Sequence, residues 1–179
     1  MSKRSNTFER APRDFYPTPP SAVAPLIGHL PAGTTYAEPC AGDGALIRAL
    51  ESLKPSLTCL SASDIDPQVD YIDHRDALSL APRDVAGADV IITNPPWDRT
   101  VLHPMIEHFG GIAPTWLLFD ADWIHTKQSA PYIPHLQKIV SVGRVKWFPD
   151  SPHSGKDNCA WHLFTKERSD TAQFIGRAA

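Results

Sequence analysis

The chain has 179 residues, 42% hydrophobic and 21% charged, a composition typical of one folded domain with a substantial core. No apolar run approaches the ~20 residues that a membrane-spanning helix needs. The polar N-terminus has no signal-peptide core, so we expect a cytoplasmic protein without a membrane partner. Three widely spaced cysteines argue against a disulfide framework or a thiolate metal site, and the net charge of −3 does not indicate a strongly basic nucleic-acid binder.

Helical and extended patterns alternate through the first half of the chain. Residues 21–30 place apolar side chains at helical spacing behind Ser21, which predicts a helix with Ser21 as its N-cap. The patterns that follow predict a strand at residues 34–38, a helix at 44–53, and strands at 57–63 and 88–94. A loop-rich stretch precedes the last of these strands.

The second half continues the alternation and closes with two extended segments. It predicts a helix at residues 100–109 that ends at Gly110-Gly111, a buried strand at 115–120, a helical region at 123–137 interrupted by prolines, and a closing strand pair at 139–148 and 159–165. Strands that alternate with helices indicate a mostly parallel sheet covered on both faces. The late pair indicates that the final edge strand runs antiparallel.

A glycine-containing turn lies between the first strand and the next helix, in AEPCAGDGALIRAL at residues 37–50. Gly42 and Gly44 allow a tight turn and a close approach to a ligand. The segment is neither a GxGxxG fingerprint nor a P-loop. Glu38 and Asp43 would repel a pyrophosphate and favour a cationic ligand; the alternative is a glycine-rich turn without a ligand.

Two acidic segments follow. In SDIDP, Asp64 comes directly off the second strand, where an acid in a nucleoside-binding sheet bonds ribose hydroxyls. We expect Asp66 to face outward in the turn, and an Asp before proline is also common turn chemistry. In HRDAL, Asp76 could accept a hydrogen bond from an adenine amino group, or could cap a loop.

The segment DVIITNPPW, residues 89–97, ends a buried strand at an Asn-Pro-Pro-Trp sequence. Asn94 Oδ1 and the Pro95 carbonyl can both accept hydrogen bonds from one amino group, and Trp97 offers a flat face for a heteroaromatic ring. The prolines make the backbone rigid. A nitrogen nucleophile held in this way suits methyl transfer from a sulfonium, which depends on alignment and electrostatics.

In this order, DFYPTPP, AEPCAGDGALI, SDIDP, RDAL and NPPW resemble S-adenosylmethionine-dependent amino-methyltransferases, and look most like DNA adenine-N6 methyltransferases whose cofactor motifs precede the catalytic one. The likeness covers residues 14 to about 165. It implies an α/β, Rossmann-like, seven-stranded and mostly parallel sheet with an antiparallel last strand and helices on both faces, the class I methyltransferase fold. It also implies S-adenosylmethionine as the cofactor and adenine in DNA as the substrate.

The resemblance assigns roles to particular residues. It implies cofactor binding by Tyr16, Pro17, Thr18, Glu38, Cys40, Gly42, Gly44, Asp64 and Asp76. It implies catalysis by Asn94, Pro95, Pro96 and Trp97.

The loop before the last predicted strand, RVKWFPDSPHSGKDNCAW, is similar to one in small phage-borne and restriction-type adenine methyltransferases that carries an aromatic residue for the flipped base. The candidates for substrate binding are Trp147 and Phe148 for the base and His153 and Lys156 for phosphate. Trp147 could instead be a core residue at a strand end, and His153 a solvated loop residue.

Charge is unevenly distributed along the chain. Residues 14–99 carry twelve acidic residues against five basic ones, whereas residues 1–13 and 144–168 are net basic. This fits a cofactor site in the middle and a polyanion at the ends, although ordinary scatter of surface charge would look similar. We expect one catalytic domain over residues 1–179, a flexible basic arm at 1–13, no separate target-recognition domain, and a homodimer or a partner subunit that supplies recognition.

Other functions remain open at this point. NPP-aromatic methyltransferases also modify RNA bases and glutamine side chains of proteins, and a non-catalytic cofactor-binding subunit could keep the same fold. Eight dispersed histidines, with His103 and His108 not at ligand spacing, argue against a metalloenzyme.

Overall fold

The computed structural model describes residues 15–148 and 154–177, so the expected basic arm at 1–13 and His153 lie outside the described residues. The described residues form eight strands: β1 (Thr35–Glu38), β2 (Thr58–Asp64), β3 (Asp73–His74), β4 (Val90–Thr93), β5 (Thr115–Asp120), β6 (Leu136–Arg144), β7 (Asn158–Phe164) and β8 (Gln173–Ile175). They make one sheet in the order β3-β2-β1-β4-β5-β7-β6-β8.

Within the described residues, three α-helices and six 3₁₀ turns precede or connect the strands. The helices are α1 (Pro20–Val23), α2 (Ala45–Leu53) and α3 (Arg99–Ile112). The 3₁₀ turns cover Ala24–His29, Ala77–Ser79, Pro82–Val85, Ala121–His125, Lys127–Ser129 and Ile133–His135. No helix in the described ranges is long and apolar enough to cross a bilayer.

The predicted fold class is confirmed: the sheet is mostly parallel, and β7 runs antiparallel to both β5 and β6. The sheet has one strand more than the seven expected. The additional strand is β8, which pairs with β6 in parallel. Its three residues are too few to show a period-2 pattern in the sequence.

The core consists of two layers, one on each face of the sheet. Alternate residues of the central strands point to opposite faces. Ile92 and Leu118 belong to the layer that packs against α1 and α2, whereas Ile91, Leu117 and Phe119 belong to the layer beneath α3. All five side chains are fully buried, which holds the carboxyl ends of β4 and β5 in fixed positions.

Two helix boundaries differ from the predicted ones. The first helix begins at Pro20, and its N-cap is Pro19 without a side-chain hydrogen bond, so Ser21 is not the cap. Proline suits this position because its fixed φ matches the first helical turn. Helix α3 continues through Gly110-Gly111 to Ile112 and ends where Ala113 becomes extended, because the residue before Pro114 disfavours the helical conformation.

The region at 123–137 contains short 3₁₀ turns rather than one helix, since Pro131 and Pro134 prevent continuous helical hydrogen bonding. Strand β6 then starts at Leu136, opposite Phe164 of β7, and ends at Arg144. Beyond Arg144 the Val145 carbonyl accepts a hydrogen bond from the Gly155 N–H at 2.7 Å, so Gly155 lies against the end of the strand.

Candidate functional site

The carboxyl ends of β1, β2 and β4 open into a cavity of about 860 Å³. This edge includes the point between β1 and β4 where the strand order reverses, which is where open α/β sheets bind ligands. Its described wall residues include no basic side chain but six acidic ones: Glu38, Asp43, Asp64, Asp66, Asp76 and Asp98. Such a wall favours a cationic ligand.

The two predicted glycines form the turn between β1 and α2. Gly42 and Gly44 have φ values of +53° and +78°, in the left-handed region that favours glycine. A Cβ at Gly42 would approach the Phe15 ring to 2.8 Å, and one at Gly44 would collide with the Tyr71 hydroxyl. Gly42 lines the cavity, whereas Gly44 is not among the lining residues and serves the entry into α2.

Glu38, the last residue of β1, lines the cavity and is only 1% exposed. Its Oε2 atom has no hydrogen-bond partner among the described residues. Burial raises the pKa of this carboxyl well above its ordinary value, and the nearby carboxylates of Asp64 and Asp43 raise it further. A buried carboxyl oxygen without a partner is costly, and a cation in the cavity would supply that partner.

Asp64 and Asp76 both line the cavity. Asp64 accepts hydrogen bonds from the Gly42 N–H and the Asp66 N–H, each at 2.8 Å, and its two oxygens can each accept another. Asp76 accepts from the Leu78 N–H at 2.9 Å, which caps the following 3₁₀ turn. Asp66 is exposed, as expected for an outward-facing turn residue, and it also borders the cavity.

The side-chain amide of Asn94 lies at the cavity wall in a fixed orientation. Its Nδ2 donates to the Tyr16 carbonyl at 3.3 Å and to Thr18 Oγ1 at 3.1 Å. Its Oδ1 accepts from the Trp97 indole N–H at 3.3 Å. An indole N–H only donates and a backbone carbonyl only accepts, so these partners determine which end of the amide lies where. One acceptor position on Oδ1 remains for a ligand.

The other residues of the NPPW segment are placed differently. Pro96 lines the large cavity, whereas Pro95 is buried and, with Trp97, is not among its lining residues. The Trp97 indole N–H also donates to the Leu118 carbonyl at 3.2 Å. Its ring borders a second cavity of about 120 Å³, together with Arg99, Leu102, Phe119, Asp120, Trp123 and Asp157.

The residues before α1 complete one side of the large cavity. Tyr16, Pro17 and Thr18 line it, as does Cys40 on the glycine turn. Burial strongly raises the pKa of the Cys40 thiol, which keeps it neutral and unsuited to act as a nucleophile. No group of three or more His, Cys, Asp or Glu side chains in residues 15–148 and 154–177 could hold a metal ion.

Aromatic residues join the N-terminal segment to the predicted substrate loop. The Tyr16 ring lies 5.8 Å from that of Trp147 and 5.7 Å from that of Phe148, and Trp147 meets Trp97 edge-on at 5.9 Å. Trp147 is partly buried against the core, whereas Phe148 is 40% exposed. Lys156 is exposed on the same polar loop. The structure therefore places Trp147 beside the NPPW segment and Phe148 beside Tyr16.

Sequence reasoning missed several apolar residues of the wall: Phe15, Ile65, Leu78, Val101 and Met105. Ile65 and Leu78 are exposed in the structure and lie one and two residues after the predicted ligand acids Asp64 and Asp76. An apolar residue at such a position is a signal that the sequence does contain. Val101 and Met105 are four residues apart and so share one face of α3. No local pattern marks Phe15 as the residue that packs on the glycine turn.

No protein-family model matches the chain, and no curated protein matches it in sequence. Solved structures do resemble it. A protein from Listeria monocytogenes described as a class I S-adenosylmethionine-dependent methyltransferase gives a TM-score of 0.62 at 11% identity, over 97% of this chain and 68% of that one.

Two further structures show the same fold. A type I restriction-modification methyltransferase subunit from Streptococcus thermophilus gives a TM-score of 0.61 at 10% identity, over 94% of this chain and 48% of that one. A dimethyladenosine transferase from Plasmodium falciparum gives 0.53 at 15% identity, over 85% and 63%. The chain thus has the class I methyltransferase fold and spans about half the length of the restriction-modification subunit.

Proposed function

We propose that the protein transfers a methyl group from S-adenosylmethionine to the exocyclic amino group of adenine in DNA. The observation that carries this proposal is the Asn94 amide, held at the wall of an acidic cavity with one acceptor position of Oδ1 available. The fold is consistent with it. The likeness to a restriction-modification subunit favours DNA, and that to a dimethyladenosine transferase favours adenine.

The residues of the large cavity fit this cofactor. A volume of about 860 Å³ lies in the usual range for ligand pockets, and the unpartnered Oε2 atom of the Glu38 carboxyl suits a cationic ligand. We assign Asp64 to the ribose hydroxyls and Asp76 to the adenine amine of the cofactor. When bound, S-adenosylmethionine supplies a methyl group activated by its positively charged sulfur.

The chain's own contribution to the reaction is alignment. Asn94 Oδ1 and the Pro95 carbonyl accept hydrogen bonds from the two N–H groups of the substrate amine. This aims the nitrogen lone pair out of the ring plane. Pro96 stiffens the backbone and adds no N–H that would compete for these acceptors. Positioned acceptors of this kind act through orientation and electrostatics. The nitrogen–methyl bond would form as the sulfur–methyl bond breaks, and the methylated amine would then lose its extra proton to solvent, so the step needs no dedicated base at the cavity.

The aromatic residues beside NPPW would hold the base outside the stack. We assign this role to Trp97, Trp147 and Phe148, since stacking on an aromatic side chain contributes roughly 1–3 kcal/mol per base. Lys156 and His153 are assigned to phosphate. The base-edge recognition that specifies a DNA sequence would come from a partner subunit or a second copy of the chain, which size-exclusion chromatography with and without DNA would distinguish.

The test is mass spectrometry of nucleosides after the protein is incubated with S-adenosylmethionine and separate DNA, RNA and protein pools. We expect N6-methyladenine in the DNA pool. In Asn94→Ala, transfer should fall by about 10²- to 10³-fold or more, while cofactor affinity measured by calorimetry stays the same. Gln173→Ala removes an exposed amide on β8 and is the matched control.

The same experiment separates the alternatives. Methylation only in the RNA pool, or only on glutamine of the protein pool, would replace the DNA substrate. Cofactor binding without transfer to any pool would favour a non-catalytic subunit. Unchanged turnover in Asn94→Ala would refute the role assigned to this amide.

A further inference from the structure

The segment before α1 contacts the end of β4 through Thr18. This contact suggests a role for Thr18 other than the cofactor binding that its sequence motif implies. Thr18 and Asn94 are 76 residues apart in the chain, yet Asn94 Nδ2 donates to Thr18 Oγ1 at 3.1 Å. Thr18 is 4% exposed. We propose that Thr18 is a positioning residue that holds the Asn94 amide for methyl transfer. This inference rests on the proposed function.

Hydrogen-bond accounting supports this assignment. The two Nδ2 hydrogens of Asn94 are matched by two acceptors, Thr18 Oγ1 and the Tyr16 carbonyl. Neither hydrogen then needs to point at the substrate, and Oδ1 keeps its place at the cavity wall. A buried hydroxyl needs a partner, and Asn94 provides one to Thr18 in return.

The rest of the network opposes a rotated amide. If the amide turned by 180°, Nδ2 would face the Trp97 indole N–H, donor against donor, and Oδ1 would face the Tyr16 carbonyl, acceptor against acceptor. The Trp97 indole and the Tyr16 carbonyl therefore determine the orientation of the amide. Thr18 adds the hydrogen bond that keeps the side chain from moving off its position, and small displacements of a reacting group are expensive in rate.

The contact also links the cavity wall to the reacting amide. Phe15, Tyr16, Pro17 and Thr18 all line the large cavity, and the last of them holds Asn94. A ligand that packs on this segment therefore stabilises the segment on which the amide depends. This makes Thr18 a connection between cofactor binding and alignment of the substrate amine.

The test compares Thr18→Val, which keeps the shape and removes the hydroxyl, with Thr18→Ser, which keeps the hydroxyl. We expect Thr18→Val to lower kcat on the order of 10- to 100-fold, with the dissociation constant for S-adenosylmethionine changed by less than about twofold. Thr18→Ser should recover most of kcat. A rise in the dissociation constant with unchanged kcat would overturn the proposal and make Thr18 a cofactor ligand.

A matched control addresses the loss of a buried hydroxyl as such. Thr115 on β5 is fully buried, and its hydroxyl donates to the Ala113 carbonyl at 2.8 Å. Thr115→Val should lower the unfolding midpoint and leave kcat unchanged. Equal losses of kcat in Thr115→Val and Thr18→Val would show a general structural effect and overturn the proposal.

A readout without turnover separates this proposal from the proposed function. The Nδ2 proton signals of Asn94, identified in a ¹⁵N spectrum by their loss in Asn94→Ala, should shift in Thr18→Val and not in Thr18→Ser. Unchanged signals in Thr18→Val would overturn the positioning role. A wild-type protein without methyl transfer would count against the proposed function, while these signals would still decide whether Thr18 holds the amide.

Discussion

The two halves of the sheet each bury an ionisable side chain, in very different surroundings. In the half formed by β1, β2 and β4, Glu38 lines a cavity and its Oε2 has no described partner. In the half formed by β5, β6 and β7, His162 is fully buried, and its ring stacks on Phe119 with centroids 3.9 Å apart. Burial raises the pKa of Glu38 and lowers that of His162 to about 3.

The difference shows what marks a site in this fold. Burial opposes charge on both side chains, so a shifted pKa alone does not separate them. Glu38 faces a space that could hold a compensating cation, whereas His162 is enclosed by Phe119, Trp123 and Phe164. Glu38 is the functional candidate because it borders a cavity that could hold a cation, and not because it is buried.

Of the effects that separate the two halves of the sheet, the largest is expected at Glu38. Replacing it by Gln keeps the shape and removes the negative charge that a bound cation would stabilise. We expect the affinity for S-adenosylmethionine to fall about 10- to 100-fold in Glu38→Gln, as for other buried hydrogen bonds to charged groups. Calorimetry measures the affinity, and Asp98→Asn at the exposed edge of the same cavity is the control.

Proton linkage sharpens this prediction. The raised pKa of Glu38 means that the folded carboxyl takes up charge at higher pH than the unfolded one, so its contribution to stability is lost as pH rises above the unfolded value of about 4.3. Cofactor binding should release protons in the wild type and fewer in Glu38→Gln. Equal release, measured in buffers of different ionisation enthalpy, would contradict the role of this carboxyl.

His162 should produce the next largest effect, on stability rather than on binding. Its folded pKa of about 3 lies below the unfolded value of about 6.5, so stability is lost as pH falls through this interval. The loss from pH 7 to pH 5 should be about 2 kcal/mol. In His162→Phe the free energy of unfolding, measured with urea, should fall by about 2 kcal/mol less over this pH range than in the wild type. Parallel pH profiles for the two proteins would show that the histidine does not cause the loss.

The smallest effect tests whether the second half of the sheet also reaches the substrate. Phe148 lies just beyond β6, 40% exposed beside Tyr16. Phe148→Ala should raise KM for DNA roughly fivefold through the loss of about 1 kcal/mol of stacking, with cofactor affinity unchanged. Phe174→Ala, at an exposed aromatic on β8, is the control; equal changes in KM would remove Phe148 from the substrate site.

Local patterns predicted most of the fold. The sequence located β4, β5 and α2 to within two residues. The two strands are apolar runs and the helix is an amphipathic stretch, and burial of one or both faces fixes such patterns. The end of α3 was not predicted, since Pro114 rather than the glycine pair stops it. The exposed edge strand β8 was missed because three residues carry no periodic signal.

The candidate site could be predicted only at the level of motifs. The motifs were found at the ends of the predicted strands, and the structure brings the acidic and amide side chains at the ends of β1, β2 and β4 to one cavity because parallel strands share a carboxyl edge. The contact of Thr18 with Asn94, the packing of Phe15 on Gly42 and the position of Trp97 at the smaller cavity depend on tertiary packing. Spacing along the chain contains no information about them.

The position of β7 has a consequence for synthesis of the protein. This strand lies between β5 and β6 although it follows both in the chain, and it supplies hydrogen bonds to each. A ribosome that has not yet released Asn158–Phe164 therefore holds a nascent chain with two open strand edges, rich in apolar side chains, that can pair with other chains. The sheet can close around β5 and β6 only after residues 158–164 have left the ribosome, so these two strands depend on rapid synthesis of that segment or on chaperones to avoid aggregation.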